Sequence, residues 1–177
     1  MVSTRMRAVM RQWPTGVAVV TTRSATGPHG VTINSLLSVS LEPPTLLVSL
    51  SRRSRTHQLI MENRSFTANL LAAGQSALAA HFAGERPVGE SEFRDVGWSP
   101  SPCSGNAVLA GALAAMDCTI TATVPAADHT LFVGAVEEVH HLRACEEPLV
   151  YARRVYHRLA ETSAPLDRGE SWLLRGR

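Results

Sequence analysis

The stretch from residue 30 to residue 56, GVTINSLLSVSLEPPTLLVSLSRRSRT, constrains the fold of this chain more than any other. Two short runs rich in leucine, isoleucine and valine alternate with hydroxyl and amide side chains, and a Pro-Pro pair separates the runs. Three arginines then surround Ser54, a residue type that caps helices. The segment predicts two extended pieces followed directly by the start of a helix.

Similar patterns predict further strands. Residues 16–22 and 31–35 flank the turn sequence ATGPHG, and together they indicate a hairpin. Residues 45–51 are apolar enough for an interior strand. The remaining strand candidates are a short one around residues 65–71, two long alternating ones at residues 112–124 and 129–142, and one extended piece within residues 148–159.

Helical patterns are few and short. Ser3 or Thr4 is predicted to cap a first helix that ends near Gln12, and two more helices are expected over residues 54–63 and near residues 74–84. Residues 85–106 are rich in Gly, Pro and Ser and predict a long loop that approaches a ligand or a subunit partner. Many short strands with few helices predict a mainly β fold, a closed or partly closed barrel with helices over its ends.

Composition excludes several classes of protein. A chain of 177 residues with 45% hydrophobic and 18% charged residues is expected to fold as one domain. Its net charge is only +2, so anion binding has to come from local arginine clusters rather than from an overall basic field. The three cysteines show no CxxC spacing, which argues against a zinc site or a disulfide framework. With no signal-peptide core and no long apolar run, we expect a cytoplasmic protein that does not enter a membrane.

The stretch from residue 30 to residue 56 also indicates a kind of ligand. Backbone N–H groups and hydroxyls at the start of a helix stabilise an anion, and the arginines there would add charge-assisted hydrogen bonds to a phosphate. Upstream, polar side chains projecting from an extended segment could read the edge of a flat heteroaromatic ring. These ring-facing candidates are Thr32, Asn34, Ser35 and Ser38.

The order of several motifs resembles a known family. PTGVAVVTT, GPHGVTINSLLSVSLEPPTLLVSLSRRSRT, FTANLL, FAG, DHTLFVGAV and PLVYARRVYHRL follow one another as they do in the flavin reductases with a flavin-binding split barrel. The resemblance runs from about Trp13 to Leu159. It implies a Greek-key split barrel over residues 13–159, preceded by a helix in residues 1–12 and followed by a poorly ordered tail in residues 160–177.

The resemblance also implies roles for individual residues. The family pattern puts the four ring-facing candidates beside the isoalloxazine, and it puts a second group at the flavin phosphate: Ser51, Ser54, Arg55 and Thr56. Phe82 and Ala83 would lie near the ring or the nucleotide tail. His129 is the catalytic candidate because it would orient the nicotinamide, and Tyr156 would lie near the same group. The late motif RRVY lacks the glycine of the family pattern and has Arg154 instead.

The activity implied by the resemblance is NAD(P)H-dependent reduction of FMN or FAD by a homodimer. Hydride would pass from the nicotinamide to flavin N5, so the protein mainly has to align two rings and exclude water. Reduced flavin would then diffuse to a partner flavin-dependent monooxygenase. No metal is implied.

Two other functions stay open on the sequence. A non-catalytic or electron-transferring flavin-binding barrel is one, and the RRVY departure favours it. A nucleic-acid-binding module based on Arg52, Arg53 and Arg55 is the other, although the small net charge argues against it. Taken singly, His129 could be a turn residue, and Cys118 is interpreted as a small buried hydrophobe. Trp13 and Trp98 could stack on a flavin, but packing in the core or in a dimer is the more common role of such residues.

Overall fold

Antiparallel strands build most of the protein, whose computed structural model describes residues 1–84, 92–140, 143 and 146–160. In chain order the strands are β1 (Thr15–Gly16), β2 (Ala18–Ser24), β3 (Gly27–Ile33), β4 (Leu36–Leu41), β5 (Pro44–Ser51), β6 (Ser65–Leu70), β7 (Trp98–Pro100), β8 (Ala107–Leu109), β9 (Ala114–Ala126), β10 (His129–His140), β11 (Val150–Ala152) and β12 (Val155–His157). The helices are α1 (Val2–Met10), α2 (Arg55–Asn63) and α3 (Ser76–Ala83), with a 3-10 turn at Ala73–Gln75. The prediction of a mainly β chain with a few short helices is confirmed.

The main sheet has seven strands in the order β3-β2-β6-β9-β10-β5-β4. Every adjacent pair in this sheet is antiparallel. β5 lies between β10 and β4, which confirms the predicted interior strand. β3 and β4 end the sheet on its two sides, although only Asn34 and Ser35 separate them in the chain. The sheet is therefore open at the point where the sequence concentrates its ring-facing candidates.

The core has two parts because β2 is buried on both faces. Successive side chains of a strand point to opposite faces, so Val20 packs with Phe66 and Phe132 while Val19 packs with Phe82 and other residues on the other side. All of these side chains are at most 2% exposed. The continuous apolar run VAVV in the sequence is the signature of this double burial.

Several predicted boundaries are wrong. The predicted strand over residues 16–22 is two strands, β1 and β2, and the hairpin turn is tighter than predicted because Ser24 already pairs with Gly27. Residues 148–159 form a hairpin of β11 and β12 instead of one extended piece. Helix α1 has Met1 as its N-cap with no side-chain cap bond, so neither Ser3 nor Thr4 caps it. Residues 85–91, Leu142, Cys145 and the predicted tail from residue 161 lie outside the described residues.

The predicted irregular loop contains a strand, β7, which pairs with β8. A buried carboxylate holds this hairpin against the barrel. Asp117 of β9 is 1% exposed and accepts hydrogen bonds from three hydroxyls, those of Thr67 at 2.6 Å, Ser101 at 2.5 Å and Ser104 at 2.7 Å. Because a buried charge is tolerated only when its oxygens are hydrogen-bonded, these three donors explain how the carboxylate stays in the interior.

Candidate active site

One cavity brings together residues that lie far apart in the sequence. It has a volume of about 190 Å³ and is lined by Val17, Thr32, Ile33, Asn34, Ala83, Tyr151 and Tyr156. Four of these residues, Thr32, Asn34, Ala83 and Tyr156, were predicted from the sequence. Thr32 and Ile33 of β3 form one wall together with Asn34, which follows the strand. The end of α3 forms another wall, and the hairpin of β11 and β12 supplies the two tyrosines.

The tyrosine hairpin depends on an unusual turn. Arg153 and Arg154, which join β11 to β12, have φ of 52° and 68°. Two successive residues with positive φ are what a tight two-residue hairpin turn requires, although glycine or asparagine usually occupies these positions. Tyr151 and Tyr156 are opposite each other in the register, with ring centroids 5.4 Å apart and planes at 54°. The hairpin thus forms this tight turn without a glycine at either central position.

Burial raises the pKa of Tyr156 above its usual value, and the neighbouring Tyr151 adds to the shift. A phenol whose pKa is raised stays protonated at neutral pH. Tyr156 therefore presents a neutral O–H group, able to donate one hydrogen bond, at the wall of this cavity.

A second cavity adjoins the first. It has a volume of about 370 Å³ and shares Val17 and Asn34 with the smaller cavity. Its other walls are mostly apolar: Trp13, Pro14, Thr15, Gly16, Ala18, Leu36, Leu70, Leu71, Leu113, Pro148 and Leu149. Within the described residues, the buried Oγ1 atom of Thr15 has no hydrogen-bond partner. An apolar cavity with a few polar groups is typical of a site for an organic ligand.

The start of α2 forms the other half of the candidate site. Ser54 is the N-cap: its hydroxyl donates to the Ser51 carbonyl at 2.8 Å and accepts from the His57 N–H at 3.2 Å. The Ser54 N–H itself is bonded to the Ser51 carbonyl. The first-turn N–H groups of a helix have no acceptor within the helix, so those of Arg55 and Thr56 are the ones left for a ligand. The Arg55 side chain is exposed beside them.

His129 lies next to this helix start, because it pairs with Ser51 across β10 and β5. Its Nδ1 atom is 2.8 Å from a carboxylate oxygen of Asp128, and its side chain is 44% exposed. The hydrogen bond from His129 lowers the pKa of Asp128, so the carboxylate is ionised and acts as the acceptor. Nδ1–H consequently donates to Asp128, and Nε2 is the ring nitrogen that His129 presents outward.

Four other predicted residues have side chains that are packed in the core, bonded within the protein or exposed to solvent. Phe82 is 2% exposed and packs on Phe93 with centroids 5.0 Å apart, so its ring belongs to the core and not to a cavity wall. Thr56 is 1% exposed and its hydroxyl contacts His29, which leaves only its N–H for a ligand. The Ser35 hydroxyl donates to the Ser49 carbonyl at 2.8 Å. Ser38 is exposed on β4.

The structure thus assembles two groups of predicted residues. Thr32, Asn34, Ala83 and Tyr156 surround the smaller cavity, whereas Ser51, Ser54, Arg55, Thr56 and His129 lie at the start of α2 and the beginning of β10. Neither of the two adjoining cavities includes Arg55 among its described lining residues. The two groups are connected by β3, because Thr56 contacts His29 and Thr32 follows three residues later.

Sequence reasoning gave Tyr151 and His29 of this region no role, and it considered Trp13 only as a possible stacking or packing residue. Tyr151 lines the smaller cavity, Trp13 lines the larger one with its side chain 65% exposed, and His29 contacts the start of α2. The quoted motifs contained Tyr151 and His29, but nothing in the local pattern distinguished them from ordinary strand residues. The exposure of Trp13 follows from the position of α1, which has none of its residues buried.

The cysteines of the described part are not candidates for thiol chemistry. Burial raises the pKa of Cys118 to about 12, and Cys118 is 1% exposed, which confirms the interpretation as a small buried hydrophobe. A hydrogen bond to Glu138 raises the pKa of Cys103 to about 11. Thiolates are therefore rare at neutral pH. Within the described ranges, no group of three His, Cys, Asp or Glu residues could hold a metal ion, and no helix is long and apolar enough to cross a bilayer.

Comparisons with known proteins agree with this geometry. A family model described as flavin reductase like domain matches residues 10–160. The NADH flavin reductase of Kitasatospora aureofaciens is 39% identical over 153 residues, covering 85% of this chain and 78% of that protein. HsaB of Mycobacterium tuberculosis, the reductase subunit of a flavin-dependent monooxygenase, is 33% identical over 151 residues, covering 85% of this chain and 79% of that protein.

Solved structures show the same fold. The NADH:FAD oxidoreductase SgcE6 of Streptomyces globisporus, solved with NAD and FAD fragments, superposes with a TM-score of 0.85 at 32% identity and covers 92% of this chain and 95% of that chain. The open antiparallel barrel and its cavities therefore define a flavin-reductase split barrel, as the motifs predicted. This chain belongs to the flavin reductase family.

Proposed function

We propose that this protein reduces free FMN or FAD with NADH or NADPH and supplies the reduced flavin to a flavin-dependent monooxygenase. The observation that carries the proposal is Asn34, which lies where two adjoining cavities meet at the open edge of the barrel. Two stacked rings need two adjacent spaces, and a nucleotide phosphate needs a positive helix start within reach of one of them.

The residues fit a flavin nucleotide. Asn34 offers a donor and an acceptor to the polar edge of the ring, and the unpartnered Thr15 Oγ1 offers another polar atom in the adjoining cavity. The N–H groups of Arg55 and Thr56, with the Arg55 guanidinium, would hold the phosphate. Because the Thr32 hydroxyl donates to the Ala79 carbonyl at 2.7 Å, its role would be to shape the wall rather than to bind the ring directly.

The protein itself supplies positioning in this reaction. When bound, the nicotinamide supplies a hydride and the flavin accepts it, so no side chain has to act as an obligatory acid or base. His129 would orient the nicotinamide amide through the outward Nε2 atom that Asp128 leaves free. Tyr156, a protonated phenol at neutral pH, would donate one hydrogen bond from the wall of the smaller cavity. The apolar lining of the larger cavity would help to exclude water when the rings are bound.

Steady-state oxidation of NADH and NADPH, followed by absorbance with FMN or FAD in excess, tests the proposal. Turnover with at least one flavin and one nicotinamide is expected. Asn34→Leu should lower kcat/KM about three- to tenfold, the effect of losing one or two hydrogen bonds. Gln58→Leu, an equivalent change at an exposed position of α2, should leave it unchanged. Absence of turnover in all four combinations would exclude a reductase.

We also propose a homodimer in the cytoplasm. Apolar side chains are exposed along the edge strand β4, with Leu37 at 58%, Val39 at 50% and Leu41 at 82%, and along α1. An exposed edge strand can pair with another chain, and exposed apolar residues beside it mark an interaction surface. Light scattering after size-exclusion chromatography should give twice the chain mass of 19.1 kDa, and a monomer at micromolar concentration would contradict the proposal.

A further inference from the structure

A buried chain of hydrogen bonds connects Glu92, His29 and Thr56. The Nδ1 atom of His29 is 2.8 Å from Oε2 of Glu92, and its Nε2 atom is 3.0 Å from the Thr56 hydroxyl. The side chains of His29 and Glu92 are 15% and 7% exposed, and Thr56 is 1% exposed. Three separate parts of the protein meet here: β3, the first turn of α2, and the segment that follows residue 91.

We propose that His29 is a positioning residue for the flavin phosphate, acting through Thr56; the inference rests on the proposed function. The two ring nitrogens of His29 contact the Glu92 carboxylate and the Thr56 hydroxyl, so the imidazole joins these two side chains. Thr56 is thereby held from its side chain while its N–H stays directed along the helix axis toward a ligand. The imidazole also separates the Glu92 carboxylate from the helix start, where a bare negative charge would repel a phosphate.

The hydrogen bond between His29 and Thr56 connects α2 to a strand that also lines the smaller cavity. Thr32, at the wall of the smaller cavity, follows three residues later, about 10 Å along an extended strand. Strand β3 therefore carries both His29, which is hydrogen-bonded to α2, and Thr32, which lines the smaller cavity. His29 and Thr32 point to opposite faces of β3, which is the last strand on its side of the sheet.

The other charged and polar contacts of this region do not replace the Thr56 bond. His81 of α3 contacts the Glu92 carbonyl through Nε2 at 2.7 Å, so it fixes the backbone at Glu92. Ser54 caps the helix from the loop side, and His57 is bonded to Thr130 at 2.9 Å. Only His29, among the described residues, joins α2 to β3 by a side-chain hydrogen bond.

The test compares two flavins that differ in the phosphate. Fluorescence quenching gives the dissociation constants of FMN and of riboflavin for the full-length protein, and their ratio measures what the phosphate contributes. In the wild type we expect FMN to bind more tightly. His29→Ala and Thr56→Val should each reduce the ratio about three- to tenfold, by weakening FMN while leaving riboflavin nearly unchanged. The double variant should lose no more than the stronger single variant, because His29 acts through Thr56.

Thr121→Val is the control, since it also removes one threonine hydrogen bond, the one between the exposed Thr121 hydroxyl of β9 and the Val133 carbonyl of β10. Its ratio should equal that of the wild type. Equal weakening of FMN and riboflavin in His29→Ala would indicate general structural damage and overturn the proposal, as would an unchanged ratio or additive losses in the double variant. NADH oxidation by the wild type is measured separately, so a failure of the reductase activity is distinguishable from a failure of this positioning role.

Discussion

Gly134 of β10 provides a sharp test of the packing that supports the barrel. A Cβ atom built on Gly134 would lie 2.9 Å from Cε1 of Phe66 and 3.0 Å from Cβ of Cys118. Phe66 is 0% exposed and Cys118 is 1% exposed, so neither can move into solvent. The Cβ atom of Cys118 is attached directly to the backbone of β9, so its contact with the added methyl group can be relieved only by shifting β9.

Gly134→Ala is therefore expected to lower the free energy of unfolding by about 1–3 kcal/mol, the usual cost of overpacking a core. Without the clash, the same substitution would gain about 0.4–1 kcal/mol from the unfolded chain. Urea unfolding followed by tryptophan fluorescence measures the difference, and an unchanged slope with denaturant would show that the effect lies in stability alone.

Gly74→Ala is the control, because a Cβ there meets no atom within 4 Å and Gly74 has no positive φ. It should leave stability within about 0.5 kcal/mol of the wild type or raise it. In a Phe66→Leu background, Gly134→Ala should cost less, since the nearest clashing atoms are gone. If Gly134→Ala is as stable as the wild type, the packing argument is refuted.

Three further predictions concern the turn, a histidine and the buried carboxylate. Arg154→Gly should raise the free energy of unfolding by about 0.5–1 kcal/mol in urea unfolding, because φ of 68° strains a non-glycine residue; a loss of stability would contradict this. Burial and the charge of Arg52 lower the pKa of His57 below 6.5, so the unfolded chain binds a proton first and stability should fall as pH drops below about 6.5; His57→Gln should flatten that part of a melting-temperature profile between pH 7 and 5. Asp117→Ala leaves three hydroxyls without their acceptor, those of buried Thr67 and Ser101 and of half-buried Ser104, and should cost about 3 kcal/mol or more; a cost under 1 kcal/mol would show that water replaces the carboxylate.

The sequence predicted the parts of the fold that depend on local pattern. The apolar run in β2, the alternation in β9 and β10 and the Ser54 cap are each explained by neighbours within a few residues. The motif order then predicted the family and the arrangement of the barrel. Ser54, at the start of α2, is where the prediction and the structure agree in most detail.

The remaining features depend on contacts between distant residues. β7 is exposed and carries no strand pattern, and it is held through the network around Asp117 in β9. His29 meets Thr56 and Glu92, which are 27 and 63 residues away. The motif predicts a ligand contact for Phe82, and the structure adds that the rings of His81 and Phe93 pack against it in the core. No periodicity within a short window encodes such pairings.

The turn at Arg153 has a mechanical consequence for the N-terminal helix. The Arg153 N–H donates to the Arg11 carbonyl at 2.8 Å, and its Nε donates to the Gln12 side chain at 2.9 Å. These two hydrogen bonds thus connect the end of α1 to the strands that carry Tyr151 and Tyr156. A force or a binding partner that displaces the helix pulls on the tyrosines as well, so the first dozen residues of the chain share in setting the width of the cavity that those rings enclose.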